Sequence, residues 1–142
     1  MVQGCPERTP AVFLGEYHTK FTGQGRIILP KKFRFELSGG KELILSRGFE
    51  GCIWGFSIEK WKNEAEKQLE ITATEEKARN LRRYLFSAAE SVVLDDQGRF
   101  IISKLLLDYA QLKGEVVIVG AGDHFEIWDP LKWQKLISEL MI

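Results

Sequence analysis

The chain contains two copies of one pattern, and this internal duplication constrains the fold more than any other feature of the sequence. Residues 24–29, Gln-Gly-Arg-Ile-Ile-Leu, recur 73 residues later as Gln-Gly-Arg-Phe-Ile-Ile at residues 97–102. One residue is lost further along, so that Lys60-Trp61 corresponds to Lys132-Trp133 at an offset of 72. A shared Gly-Arg pair with a shared downstream Lys-Trp indicates two related units of about 45 residues that flank a connector.

Each copy carries the same predicted elements. A glycine precedes a short β-branched or aromatic run, and two more apolar runs follow, which predicts three strands per copy. These strands are expected at Arg26–Leu29, Leu43–Leu45 and Cys52–Phe56, and again at Arg99–Ile102, Val116–Val119 and Phe125–Trp128. Ser57 and Asp129 are suited to N-cap a helix after the last strand of each copy, and Pro130 suits the first helical position.

The connector has helical periodicity instead. Thr72 and Glu75 have the spacing of a capping box, and Ala78, Leu81 and Leu85 form an apolar stripe beyond them. This pattern predicts one helix near residues 73–88 and another over residues 61–69.

The small size of each copy predicts how the copies associate. A unit of about 45 residues rarely buries enough apolar surface to be stable alone. We therefore expect an α+β protein in which the two copies form one intertwined, pseudo-two-fold β unit. Unpaired strand edges would favour further self-association into an oligomer.

The sequence provides no constellation for catalysis or metal binding. Cys5 and Cys52 are too few for a disulfide framework or a four-ligand zinc site, and His18 and His124 lack metal-ligand spacing. No nucleophile elbow or phosphate loop is present, and the apolar runs are too short to span a membrane. We expect no enzyme activity, no cofactor or metal, and no small-molecule substrate or membrane partner.

The charge is unevenly distributed, although 20 Lys and Arg balance 20 Asp and Glu over the 142 residues. Residues 11–62 hold nine basic against five acidic side chains, whereas residues 91–142 hold five against eight. Residues 20–34 hold no acid and five cations: Lys20, Arg26, Lys31, Lys32 and Arg34. Such a run is consistent with a solvated face or with a surface for an anionic partner.

The duplicated Gly-Arg pair is the strongest functional candidate. In one interpretation, Gly25 and Gly98 supply a positive φ in a hairpin, and Arg26 and Arg99 begin a strand in solvent. In the other, each arginine directs two N–H donors at a guanine edge or a phosphate of DNA. Spacing and charge alone leave both interpretations open.

A set of motifs spread along the chain resembles the MraZ family. It comprises Phe13-Leu14-Gly15-Glu16-Tyr17-His18, Gly25-Arg26 with Pro30-x-x-Phe33-Arg34, Ser46 to Cys52, Glu90 to Arg99, Leu107-Asp108-Tyr109-Ala110-x-Leu112 and Val119 to Trp128. The resemblance extends from Phe13 to the C-terminal helix. It implies two SpoVT/AbrB-like swapped-hairpin, β-barrel-type halves in a ring-like homo-oligomer.

The resemblance also implies a function and a site. It indicates a cytoplasmic, nucleoid-associated transcriptional regulator that binds short direct repeats in double-stranded DNA, upstream of a division and cell-wall gene cluster and of its own gene. The family's Asp-x-x-Gly-Arg turn places its DNA-binding arginines at Arg26 and Arg99, supported by Gly25, Gly98 and Asp95. We add Lys31, Lys32 and Arg34 as candidate phosphate contacts. An alternative is an antitoxin-like protein-interaction module without specific DNA readout.

Two residues of the first turn depart from the family's motif. Thr22 stands where the motif has aspartate, and Gln24 replaces the usual lysine, so the first turn lacks an acid that could orient its arginine.

We expect DNA-binding domains at residues 12–60 and 89–132, a connector at 61–88 and a C-terminal helix at 133–142. Residues 1–11 would be a disordered arm or the product of a misplaced gene start.

Overall fold

A computed structural model describes residues 12–37, 40–71 and 74–140. The first copy contains β1 (Glu16–Lys20), β2 (Arg26–Ile28), α1 (Lys31–Phe35), β3 (Glu42–Arg47), β4 (Ile53–Ser57) and α2 (Ile58–Glu70). After α3 (Glu76–Ser87), the second copy contains β5 (Glu90–Val93), β6 (Arg99–Ile101), α4 (Lys104–Ala110), β7 (Glu115–Gly120), β8 (Phe125–Trp128) and α5 (Pro130–Leu140). All six predicted strands are present within a few residues of their expected bounds.

The two copies exchange strands. The main sheet has the order β1-β7-β8-β4-β3-β5, so β1 of the first copy pairs with β7 of the second, and β5 of the second pairs with β3 of the first. The registers are equivalent, because Lys20 lies opposite Glu115 while Val93, 73 residues after Lys20, lies opposite Glu42. The predicted intertwined, pseudo-two-fold arrangement of duplicated halves in an α+β fold is confirmed.

A separate two-stranded ribbon is formed by β2 and β6. These antiparallel strands contribute one element from each copy, and Ile27 lies opposite Phe100 at its centre. Because these two residues are related by the 73-residue offset, the pseudo-two-fold axis passes between them. Both are almost completely buried, which attaches this face of the ribbon to the core.

The molecule is built in layers around the six-stranded sheet. On one face, alternate strand residues such as Leu45, Ile118 and Ile127 join the ribbon, α1 and α4 in the main hydrophobic core. On the other face, Val117, Val119 and Trp128 pack with Trp133 and Leu136 of α5. The helices α2 and α3 cover β4 and β3 on that second face, as the buried hydrogen bond from Ser46 Oγ to the Leu85 carbonyl shows (2.7 Å).

The helix ends follow the predicted caps in three places. Ser57 Oγ accepts the backbone N–H of Lys60 at 3.1 Å, Asp129 Oδ2 accepts that of Lys132 at 3.2 Å, and Pro130 is the first residue of α5. The helix predicted over residues 61–69 is longer and begins at Ile58, because Ser57 caps it directly.

The start predicted for the connector helix α3, near residue 73, is wrong. The helix begins at Glu76, and Glu75 is its extended N-cap residue (φ −86°, ψ 130°). The physical reason lies in Arg82, whose guanidinium binds the carbonyls of Gln68, Leu69 and Ile71 at 3.3, 3.1 and 2.6 Å. These bonds hold the C-terminal end of α2 against the middle of α3. Thr72, which would complete the capping box, lies outside the described residues, as do Cys5 and residues 1–11.

Four elements were not predicted: β1, β5, α1 and α4. The two strands span five and four residues of mixed polar and apolar character, and the two helices span only five and seven residues. Neither length provides enough periodicity to distinguish a helix or strand from a loop. The expected boundaries after residues 60 and 132 fall inside α2 and α5, and the division into domains stays a prediction.

Candidate nucleic-acid interface

The two Gly-Arg turns lie at opposite ends of the ribbon and are built alike. Gly25 and Gly98 have φ values of +75° and +81°, the left-handed conformation that glycine adopts at little steric cost. The Gly25 carbonyl accepts the N–H of Ile102 at 2.7 Å, and the Gly98 carbonyl accepts the N–H of Leu29 at 2.8 Å. Each turn is therefore anchored to the strand of the other copy, which makes the two turns parts of one rigid unit.

Both arginines lie on the exposed face of the ribbon. Side chains alternate along a strand, so the burial of Ile27 and Phe100 directs Arg26 and Arg99 to the opposite face. Arg26 lies opposite Ile101, which is 54% exposed, and Arg99 lies opposite Ile28, which is 38% exposed. The fold thus brings the two predicted arginines together on one surface, together with two apolar side chains.

Asp95 holds the second arginine in place. Its Oδ1 accepts the backbone N–H groups of Arg99 and Gln97, each at 2.9 Å, and its Oδ2 accepts Nε of Arg99 at 2.8 Å. The backbone N–H of Arg99 is the main cause that lowers the pKa of Asp95 from 3.8 to about 2, and the guanidinium adds to it. The carboxylate is therefore charged at neutral pH, when it orients Arg99.

Thr22 makes a different contact in the first turn. Its backbone N–H donates to the Arg26 carbonyl at 2.8 Å, and its hydroxyl donates to the same oxygen at 3.4 Å. In the described part of the chain, no side chain pairs with the guanidinium of Arg26. The two turns therefore differ as expected from Thr22. Arg99 is paired with a carboxylate, whereas Arg26 has no such pair among the described residues.

Helix α1 carries the candidate phosphate contacts, and Phe33 anchors it. The Phe33 ring packs against those of Phe13 and Phe125, with centroids 5.3 and 5.6 Å apart. Lys31 and Lys32 are exposed on this helix. Their exposure leaves both ammonium groups accessible to an anionic partner.

Arg34 lies beside the second turn. Its Nη1 is 3.5 Å from the Gln97 carbonyl oxygen, and its guanidinium packs against Gly98. The strand exchange therefore supplies the second turn with a basic side chain from the first copy. Leu107, the counterpart of Arg34, packs at Gly25 instead.

Lys41 is a further cation at this turn that the sequence did not identify. Its Nζ is 3.1 Å from Oδ1 of Asp96, and both side chains are well exposed. Lys31, Arg34 and Lys41 line one open groove with Asp95 and Asp96. Lys41 could not be found from sequence, because it lies 55 residues from Asp96 and meets it only through the pairing of β3 with β5.

Both histidines have carboxylates as local partners. His18 is exposed next to Glu16, whereas His124 is largely buried between Glu126 (3.0 Å) and Asp123 (2.8 Å). Burial alone would lower the pKa of His124, but the hydrogen bonds to both carboxylates outweigh it and raise the pKa. Cys52 is buried, as predicted for a small core residue, and burial raises the pKa of its thiol.

Within residues 12–37, 40–71 and 74–140, no group of three or more His, Cys, Asp or Glu side chains could hold a metal ion. Over the same ranges, no helix is long and apolar enough to cross a membrane.

The fold and the surface define a duplicated, strand-exchanged α+β protein that presents two glycine-anchored arginines on one β-ribbon. The chain matches the family described as "MraZ protein, putative antitoxin-like" in two successive segments, residues 12–84 and 85–141. It therefore belongs to the MraZ family of transcriptional regulators, and the resemblance stated from its motifs is confirmed.

Curated relatives agree with this assignment. A protein of Roseiflexus castenholzii named "Transcriptional regulator MraZ" is 39% identical over 129 residues, which cover 91% of this chain and 89% of the relative. A protein of the same name from Lactobacillus johnsonii is 38% identical over 128 residues, covering 90% and 88%. Both relatives are named as transcriptional regulators.

Proposed function

We propose that this protein regulates transcription by binding short direct repeats in double-stranded DNA, upstream of a division and cell-wall gene cluster and of its own gene. The observation that carries this proposal is the ribbon, which exposes Arg26 and Arg99 on one face. The major groove of B-DNA admits a two-stranded β-ribbon, and arginine forms bidentate contacts to guanine there. The protein would accordingly act at the nucleoid in the cytoplasm.

The surroundings of the ribbon support DNA as the partner. Lys31 and Lys32 are exposed on α1, and Arg34 and Lys41 lie at the second turn. Cations that flank a base-reading element typically bind phosphates and set its register on the duplex. The apolar side chains of Ile28 and Ile101, on the same face as the arginines, can contact thymine methyl groups.

We also propose self-association into a ring-like homo-oligomer. The edges of the main sheet are β1 and β5, and no other strand of the described residues covers them. Val93 on β5 is 64% exposed, and Leu14 just before β1 is 67% exposed. Sedimentation velocity tests this proposal, because a monomer of 16.3 kDa at all concentrations would contradict it.

Binding of the full chain to its own upstream duplex tests the main proposal. A shuffled duplex of the same composition is the reference, and both are titrated at about 50 and 200 mM salt. The Arg26→Ala/Arg99→Ala double variant should lose about 1–3 kcal/mol of binding free energy per arginine. Arg83→Ala, on α3 at the opposite face of the sheet, is the matched control and should bind like the wild type. Undiminished binding by the double variant would exclude this site.

A second candidate function is an antitoxin-like protein-interaction module. The family description itself contains the word antitoxin-like, and swapped-hairpin folds can present the same surface to a protein. This candidate predicts tight binding to a protein encoded by a neighbouring gene. It also predicts equal affinity for the upstream and the shuffled duplex, which the same titrations measure.

A further inference from the structure

The two Gly-Arg turns differ at the residue four positions before the arginine. Asp95 occupies this position in the second turn and Thr22 in the first. Backbone bonds close both turns in the same way, since the N–H of Asp95 donates to the Arg99 carbonyl at 2.9 Å and that of Thr22 to the Arg26 carbonyl at 2.8 Å. The next position differs as well, with Gly23 in the first turn and Asp96 in the second, but Asp96 pairs with Lys41. Among the described residues, Asp95 is therefore the one side chain of these positions that bonds the guanidinium of a turn arginine.

Asp95 leaves the outer edge of the Arg99 guanidinium available. The carboxylate bonds Nε at 2.8 Å, and among the described residues no hydrogen bond or ion pair involves either Nη atom. The two Nη groups form the planar fork that matches O6 and N7 of guanine. An arginine held at Nε has lost rotational freedom before it meets DNA, so less conformational entropy is lost when the fork bonds a base.

Arg26 lacks this restraint. Thr22 donates its hydroxyl to the Arg26 backbone carbonyl, and a neutral hydroxyl does not balance the charge of a guanidinium as a carboxylate does. The charge of Arg26 is not balanced by a paired carboxylate among the described residues, and its side chain keeps its rotameric freedom. Such a group suits a phosphate contact, in which charge matters more than orientation.

The strand exchange increases the contrast. It places the guanidinium of Arg34 against Gly98 and the ammonium of Lys41 next to Asp96. The first turn receives Leu107 at the corresponding place. The second turn therefore has two cations from the first copy beside its oriented arginine. At the place that Arg34 occupies in the second turn, the first turn has an apolar side chain.

We propose that Arg99 reads a base through its two Nη groups, that Arg26 contacts DNA without base preference, and that Asp95 is the positioning residue responsible for this difference. The inference rests on the proposed DNA binding and assigns unequal roles to two turns that the duplication makes similar. The base readout would thus come from one end of each ribbon.

The test uses the full chain and a random-sequence duplex pool. Rounds of selection with the wild type yield a preferred duplex, and a shuffled version of it serves as the reference. The quantity measured is the ratio of the two affinities, determined over a range of salt concentrations. Oligomeric state and far-UV circular dichroism are recorded for every variant, so that misfolded variants are excluded from the comparison.

The arginine variants should separate specificity from affinity. Arg99→Ala should lower the ratio by about 5- to 150-fold, the value expected when one bidentate base contact is lost. Arg26→Ala should weaken binding to both duplexes by the same factor, with a salt slope smaller by about one. The proposal would be overturned if Arg26→Ala lowered the ratio of the affinities for the preferred and shuffled duplexes as much as Arg99→Ala does.

Reciprocal substitutions test the positioning residue. Asp95→Thr, which copies the first turn, should lower the ratio while the charge of Arg99 maintains the salt slope. Thr22→Asp, which copies the second turn, should add a preferred base to the selected motif. If neither variant changes the ratio or the motif, Asp95 has no positioning role; if Asp95→Thr does not fold, Thr22→Asp still decides. A wild-type ratio near one would refute the proposed function itself, before any variant is compared.

Discussion

The guanidinium of Arg34, a residue of the first copy, packs against Gly98 in the turn of the second copy. Nη1 of Arg34 lies 3.5 Å from the carbonyl oxygen of Gln97, and a Cβ atom at position 98 would lie 2.7 Å from Cζ of Arg34. Glycine at position 98 therefore serves two purposes, since it allows a φ of +81° and leaves room for a cation from the other copy.

Gly98→Ala should reduce the free energy of unfolding by about 1–3 kcal/mol, because alanine is strained at positive φ and displaces Arg34. Adding Arg34→Ala should cost less than the sum of the two single changes, since the space around position 98 is then free. Urea denaturation measures the free energy of unfolding of the single variants and of the double variant. Gly114→Ala is the control, because a Cβ at position 114 would meet open space. Equal stability of Gly98→Ala and wild type would contradict this account.

The pKa of Asp95 predicts an acid-dependent contribution to stability. Its pKa is lowered from 3.8 to about 2, mainly by the backbone N–H of Arg99, so the folded state binds this proton less readily than the unfolded chain. The stabilisation is present above about pH 4 and is lost as the pH falls towards 2. Carboxyl ¹³C NMR should give a midpoint near 2 for Asp95. The stability difference between wild type and Asp95→Asn should shrink over the same window, and a midpoint near 3.8 would contradict the prediction.

The pKa of His124 predicts a dependence of the opposite sign. Burial opposes the charged form, but Glu126 and Asp123 raise the pKa above its usual 6.5. Protonated His124 therefore stabilises the fold fully below about pH 6.5, and this contribution is lost as the pH rises through the folded-state pKa. Glu126→Gln should cost about 1–3 kcal/mol at pH 5.5 and less at pH 8.5, measured by thermal denaturation.

Glu16→Gln is the matched control for this pair. It changes the same type of residue beside a histidine, but the side chains of His18 and Glu16 are 66% and 46% exposed. Exposed ion pairs contribute only about 0–1 kcal/mol. A loss in Glu126→Gln that is independent of pH would show that protonation of His124 does not stabilise the fold.

Ser46 links the connector to the sheet through a completely buried side chain. Its Oγ donates to the Leu85 carbonyl at 2.7 Å. Ser46→Ala would leave that carbonyl without this donor, and the free energy of unfolding should fall by about 1–3 kcal/mol. Ser138→Ala removes a similar bond, from Oγ to the Lys135 carbonyl, at an exposed site and should change stability by less than about 0.5 kcal/mol. Similar values for the two variants would contradict a structural role for Ser46.

Features that depend on neighbouring residues were predicted well. The strands around Leu45 and Ile118, the caps at Ser57 and Asp129 and the two Gly-Arg turns each depend on a few adjacent side chains. The start of α3 was mispredicted because Arg82 binds three carbonyls 11–14 residues earlier in the chain. No local pattern records such a contact.

The sequence alone determined the duplication, the family and the two arginines, because these are patterns of residue type and spacing along the chain. Only the tertiary structure decided which copy supplies which part of the interface. The copies are similar enough that β3 could pair with β1 of its own copy or with β5 of the other, and the local sequence is compatible with either choice. The observed exchange buries Ile27 against Phe100, brings Arg34 to Gly98 and leaves Leu107 at Gly25. The two turns, alike in sequence, thereby acquire different surroundings.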